Sequence, residues 1–66
     1  MKKAHIYNLK AIFEDGREWD LKILAVSITW VFCWIKDCDN VKSMTVEMVK
    51  KDAKEVPENF GAKGID

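Results

Sequence analysis

The stretch His5-Ile6-Tyr7-Asn8-Leu9-Lys10-Ala11-Ile12-Phe13-Glu14-Asp15-Gly16-Arg17-Glu18-Trp19-Asp20-Leu21-Lys22-Ile23-Leu24-Ala25 decides the fold. From His5 to Phe13 every second residue, Tyr7, Leu9, Ala11 and Phe13 among them, is suited to one buried face, and from Arg17 to Ala25 the series Trp19, Leu21, Ile23, Ala25 repeats the pattern. Alternation of this kind is the mark of a half-buried strand. Parity then selects the turn. A two-residue Asp15-Gly16 loop would set Phe13 against Glu18 and Leu9 against Lys22, with charges on the apolar face. A three-residue loop, Glu14-Asp15-Gly16, with Gly16 in the left-handed conformation, pairs Ala11 with Trp19, Leu9 with Leu21 and Tyr7 with Ile23.

Outward from this hairpin, Ser27 stands where a helix N-cap is expected, and Ile28, Val31, Phe32 and Ile35 fall at i, i+3, i+4, i+7, the stripe a helix over residues 27–37 would lay on the sheet. Asp39-Asn40 breaks the chain, and residues 41–50 alternate again, with Met44, Val46 and Met48 on one side and Ser43, Thr45, Glu47 and Val49 on the other. The expected fold is therefore α+β: a three-stranded antiparallel sheet of ββαβ connectivity over residues 5–13, 17–25 and 41–50. Its order is 2-1-3, and one helix packs on one face. Residues 1–51 form the single domain. Residues 52–66, holding the one Pro and two of the three Gly, form a C-terminal tail that Val56 and Phe60 could pin to the sheet. The expected core is Leu9, Leu21, Ile23, Phe32, Ile35 and Val46.

Composition limits what such a domain does. Eleven Lys+Arg balance eleven Asp+Glu in 66 residues, so the chain has no basic field for phosphate backbones or anionic lipid. The longest uncharged stretch, Ile23 to Ile35, is shorter than the roughly 17–25 residues of a membrane-spanning helix, and Ala4 to Lys10 alternates where an export signal would be apolar. With two cysteines and no disulfide framework, the expected location is the cytoplasm.

The residues that could carry chemistry read as structural. His5, the only histidine, reads as an edge-strand residue with no Ser or Cys near it in the hairpin. Cys33 and Cys38, five apart on the expected helix, diverge by about 140° around its axis and lack the Cys-x-x-Cys spacing of a zinc site. Asp37, Asp39 and Asn40 lack the glycine and the closing glutamate of a calcium loop. Glu18 and Asp20 sit on an open sheet face, which also lacks the stacking aromatics of an RNA-binding sheet. No metal, no cofactor and no enzymatic activity are expected.

The anomaly is the helix itself. Trp30, Cys33, Trp34 and Asp37 form a second stripe at i, i+3, i+4, i+7 beside the core stripe, so the helix is apolar beyond the width that one sheet contact buries. These four residues are the expected partner-binding surface, serving a protein partner or a homodimer. The alternative is a nucleic-acid accessory protein using Lys2, Lys3, Lys10, Lys22, Lys50, Lys51 and Lys54 as a local patch.

The layout around Ala11-Ile12-Phe13-Glu14-Asp15-Gly16, Ile23-Leu24-Ala25-Val26-Ser27 and Asp39-Asn40-Val41-Lys42-Ser43 resembles small strand-strand-helix-strand accessory proteins carried by phages and mobile elements of bacteria. The resemblance covers residues 4–50 and departs at the helix, where those proteins show Glu, Ala and Lys and this chain has Trp30, Phe32 and Trp34. It implies a compact protein that acts by binding, and it carries over no catalytic residue.

Overall fold

The computed structural model describes residues 1–65. The chain folds as β1 (Lys2–Phe13), β2 (Glu18–Ala25), α1 (Ile28–Phe32), β3 (Val41–Val56) and β4 (Ala62–Gly64). The strands form one antiparallel sheet in the order β3-β1-β2-β4. The expected three-stranded sheet with a free tail is thus corrected to four strands. Residues 52–56 continue β3, Pro57 to Phe60 form a turn closed by the Phe60 amide on the Pro57 carbonyl, and the chain then crosses the end of the sheet to pair β4 with β2. Asp66, the last residue of the expected tail, lies outside the described residues.

The hairpin has the register that parity requires, with Ala11 opposite Trp19, Leu9 opposite Leu21 and Tyr7 opposite Ile23. Gly16 occupies the loop's left-handed position at φ 94°, and the Phe13 amide closes the turn on the Arg17 carbonyl at 2.8 Å. The Arg17 amide and guanidinium both donate to the Asp15 carboxylate. The amide bond foremost, with the nearby guanidinium charge, holds that carboxyl below its usual range.

β3 reaches Val56 because two irregularities absorb the charges that break its alternation. Met48 lies opposite Tyr7 and Lys50 opposite Ile6, which leaves Val49 as a bulged extra residue. A second bulge follows, where Asp52 adopts φ 51° and its amide donates to His5 Nδ1 at 2.8 Å. The single insertion at Val49 shifts side-chain parity and the two extra residues around Asp52 preserve it, so Val56 ends up buried with Ala4 and Leu24 on the face away from Leu9 and Val46. His5 therefore lies in an interior strand, not on an edge, and its ring braces a bulge.

The helix is shorter than the expected span 27–37. Thr29, Trp30, Val31 and Phe32 are β-branched or aromatic and weak helix formers, no acidic residue supports the first turn and no basic residue the last. Ser27 is the N-cap in extended conformation, but its hydroxyl makes no capping bond. Beyond Phe32 the chain tightens into i→i+3 turns, with the Trp34 amide on the Val31 carbonyl and the Ile35 amide on the Phe32 carbonyl. Cys33 and Cys38 consequently do not share a helix, and both are free and half-buried.

Val31 and Ile35 are the residues that reach the sheet. Val31 is buried with Tyr7, Leu9, Ile23 and Ala25, and Ile35 with Ala11 and Phe13. Leu21 and Val46 are only half-buried, and Phe32, expected in the core, is 41% exposed. At 100° per residue Phe32 lies well off the Val31–Ile35 line, and one and a half turns of helix cannot spread across four strands. A smaller cluster of Ala4, Leu24 and Val56, joined by Ile6 and Phe60, closes the end of the sheet that the β3–β4 crossover passes.

Leu9→Ala should cost about 2–5 kcal/mol in chemical denaturation, because a fully buried side chain is removed from the central strand. Phe32→Ala should cost less than about 1 kcal/mol. Equal losses for the two would mean that the helix packs on the face the sequence periodicity first indicated.

Candidate functional site: the tryptophan flank of the helix

With Val31 and Ile35 turned to the sheet, Trp30 and Trp34 project on one flank of α1, over β2 and β4. Each ring meets a glycine of the segment after β3. A Cβ on Gly61 would lie 2.9 Å from two ring carbons of Trp30, and one on Gly64 would lie 3.1 Å from the outer ring carbon of Trp34. Two indoles thus lie directly on the lead-in and the end of β4, so close at Gly61 that any Cβ would displace the Trp30 ring, and tight at Gly64. The crossover is tied down beside them, since the Val26 amide donates to the Gly61 carbonyl and the Ile65 amide to the Lys22 carbonyl.

Contact with Gly61 and Gly64 leaves much of each ring open. Trp30 remains 46% exposed and Trp34 39%. Trp34 forms a ridge between two shallow grooves. The first, about 320 Å³, is lined by Trp30, Cys33, Trp34 and Ala62. The second, about 270 Å³, has Leu21, Lys22, Ile23, Trp34 and Gly64 around it. Three of the four residues expected on the partner-binding stripe are therefore brought together. Asp37 is not among them: it follows the end of the helix, is exposed, and does not line either groove.

Sequence reasoning missed Gly61, Ala62 and Gly64 as the opposing wall. The available signal was their size, since small residues in the segment that follows an aromatic-rich helix are where a ring can meet backbone. The groove has the chemistry of an apolar contact surface, with one half-buried thiol at Cys33 and one ammonium at Lys22 on its margin. Among the described residues no three His, Cys, Asp or Glu side chains gather as a metal ion would need. No helix among them is long and apolar enough to cross a membrane.

The lysines of the alternative reading are distributed among carboxylates. Lys3 pairs with Glu55 at 2.9 Å, a hydrogen bond that holds the Glu55 carboxyl below its usual range, and Lys10 lies opposite Asp20. Lys22 and Glu47 both face Asn8 from neighbouring strands. Comparison of the chain with family models, with curated proteins and with solved structures found no match.

Gly61→Val should push Trp30 off the crossover. Its expected signature is a red-shifted indole emission and greater quenching by acrylamide, with a stability loss of about 1–3 kcal/mol from overpacking. Unchanged emission and quenching would show that the Trp30 ring does not rest on Gly61.

Proposed function

We propose that this chain is a binding module without a catalytic centre, and that it engages a protein partner through Trp30 on the flank of α1 and Cys33 and Trp34 in the turn that follows it. The observation that carries this reading is that both indoles stay substantially exposed after β4 has covered their inner sides, as the ridge and wall of two apolar grooves. Tryptophan in such a position is the residue most enriched at binding hot spots, and a groove beside it offers a place for an apolar anchor from the partner. Asp37 lies beyond this surface and has no part in the reading. An accessory role of the phage or mobile-element kind, implied by the turn and cap residues of the hairpin, is compatible with a small domain that acts only by contact.

The nucleic-acid reading is the weaker one. A net charge of zero gives little counterion release, and the interleaved Asp20, Glu47 and Glu55 reduce the attraction of any one lysine cluster. Attachment to DNA or RNA should accordingly vanish at physiological salt.

Trp30→Ser and Trp34→Ser distinguish the readings when each is compared with wild type for capture of a specific partner from the native host. Trp30→Ser should retain the circular dichroism of the wild type and weaken capture by at least about thirtyfold, the size of a hot-spot loss. Trp34→Ser should also lose some stability, since its ring lies against Gly64. Capture unaffected by either substitution, or affinity for nucleic acid that survives physiological salt, would overturn the proposal.

A further inference from the structure

The opposite margin of the sheet carries a second, independent feature. β3 is an edge strand of 16 residues, and among the described residues its outer row of backbone amides and carbonyls has no strand beside it. Its two halves differ. The half after Met48 has the devices that discourage edge pairing: the Val49 bulge, the Asp52 bulge, and Lys50, Lys51 and Lys54. The half from Ser43 to Met48 pairs with β1 in unbroken register and holds one charge, Glu47.

On the helix side this half is also uncovered. α1 rests on β1 and β2 with its tryptophans turned to β4, and Ile28 and Phe32, on the opposite flank at 100° per residue, remain exposed. Met44 and Met48, opposite Ala11 and Tyr7, remain 37% and 45% exposed. The molecule is elongated along its strands, at 40 × 20 × 16 Å, with a radius of gyration of 12.3 Å against roughly 11 Å for a compact chain of this length. Its accessible surface of 4638 Å² exceeds the about 4,300 Å² expected of a compact monomer of this mass.

We infer that the neighbour is a second copy of this chain, paired antiparallel along residues 44–48 about a two-fold axis at Val46. Side-chain complementarity selects both the occupant and the register. With Val46 on the axis, Met44 of each copy meets Met48 of the other, Val46 meets Val46, and Thr45 meets Glu47 on the reverse face. That makes an apolar row across the junction with no like-charge pair. A two-fold pairing must keep side-chain parity, so the neighbouring registers place the axis at Glu47 or Thr45. The first puts Glu47 against Glu47, and the second puts Met48 against Lys42. The Val49 bulge ends the ladder before Lys50 comes opposite Lys42. The product is a continuous eight-stranded sheet with the two tryptophan flanks at its far ends, so this inference does not depend on the proposed function.

Met44 and Met48 lie about 13 Å apart within one chain and cannot pair with each other, but the two-fold axis brings each against the other in the dimer. Met44→Lys/Met48→Lys should therefore place lysine against lysine twice and raise the dimer dissociation constant by about tenfold or more in sedimentation velocity. Met44→Glu/Met48→Lys, which differs at one position, should restore the dimer, with its affinity weakened by added salt. Both variants should keep the wild-type circular dichroism, because the two positions are exposed in the monomer. A wild-type chain that stays at 7.6 kDa at all concentrations, a dimer that both variants retain or both lose, or a dimer abolished instead by Trp30→Ser, would overturn the inference.

Discussion

The structure depends on covering the helix-side row of β1. Tyr7, Leu9, Ala11 and Phe13 are all buried, and β1 is the strand that both β2 and β3 pair with. The buried cover on that side comes from Val31 and Ile35, delivered by a helix of five residues and the tight turns after it, with Trp19, Cys38 and Ala62 packed at its borders. Such a short element can shield the middle of a sheet but not its margins. One margin is completed from within the chain, where β4 runs under Trp30 and Trp34. The other, along Met44 and Met48, is left open. Both proposed surfaces arise from this one mismatch between the width of the sheet and the length of the helix.

Hydrophobic alternation made the hairpin legible, because a one-residue slip would have moved charged residues onto the buried face. The same rule hid the rest of β3. Its parity is shifted once, at Val49, and two further residues are inserted around Asp52, so the sequence from Lys50 onward no longer alternates and reads as the end of a strand. His5 was an equally local blind spot: its ring accepts the Asp52 amide across 47 positions of sequence, a contact that no spacing rule contains. β4 was out of reach for a different reason. Three residues are too few to show a period, and Gly61 and Gly64, read as signs of a tail, are there to let indole rings approach the backbone.

The candidate site was legible in part. Helical spacing joined Trp30, Cys33 and Trp34, and the structure brings these three to one groove. Asp37 was added by extending the same spacing past the point where the helix stops, and that extension fails because β-branched and aromatic residues do not sustain the helix. The excess apolar width of the helix was a sound signal that something must lie against it. It could not show that the chain's own C-terminal strand takes part of that role, leaving the outer halves of the rings exposed.

That division of each tryptophan into a covered inner side and an open outer side is the central claim, and it is tested most directly by the NMR spectrum of the glycines. Rings in contact with Gly61 and Gly64 should displace their α-protons from random-coil positions by ring currents, with nuclear Overhauser contacts from Gly61 to the Trp30 ring and from Gly64 to the Trp34 ring. The Ile65 amide, bonded to the Lys22 carbonyl, should exchange more slowly than an unstructured amide. Random-coil shifts for both glycines, with an Ile65 amide that exchanges at the unprotected rate, would contradict the four-stranded sheet and the site built on it.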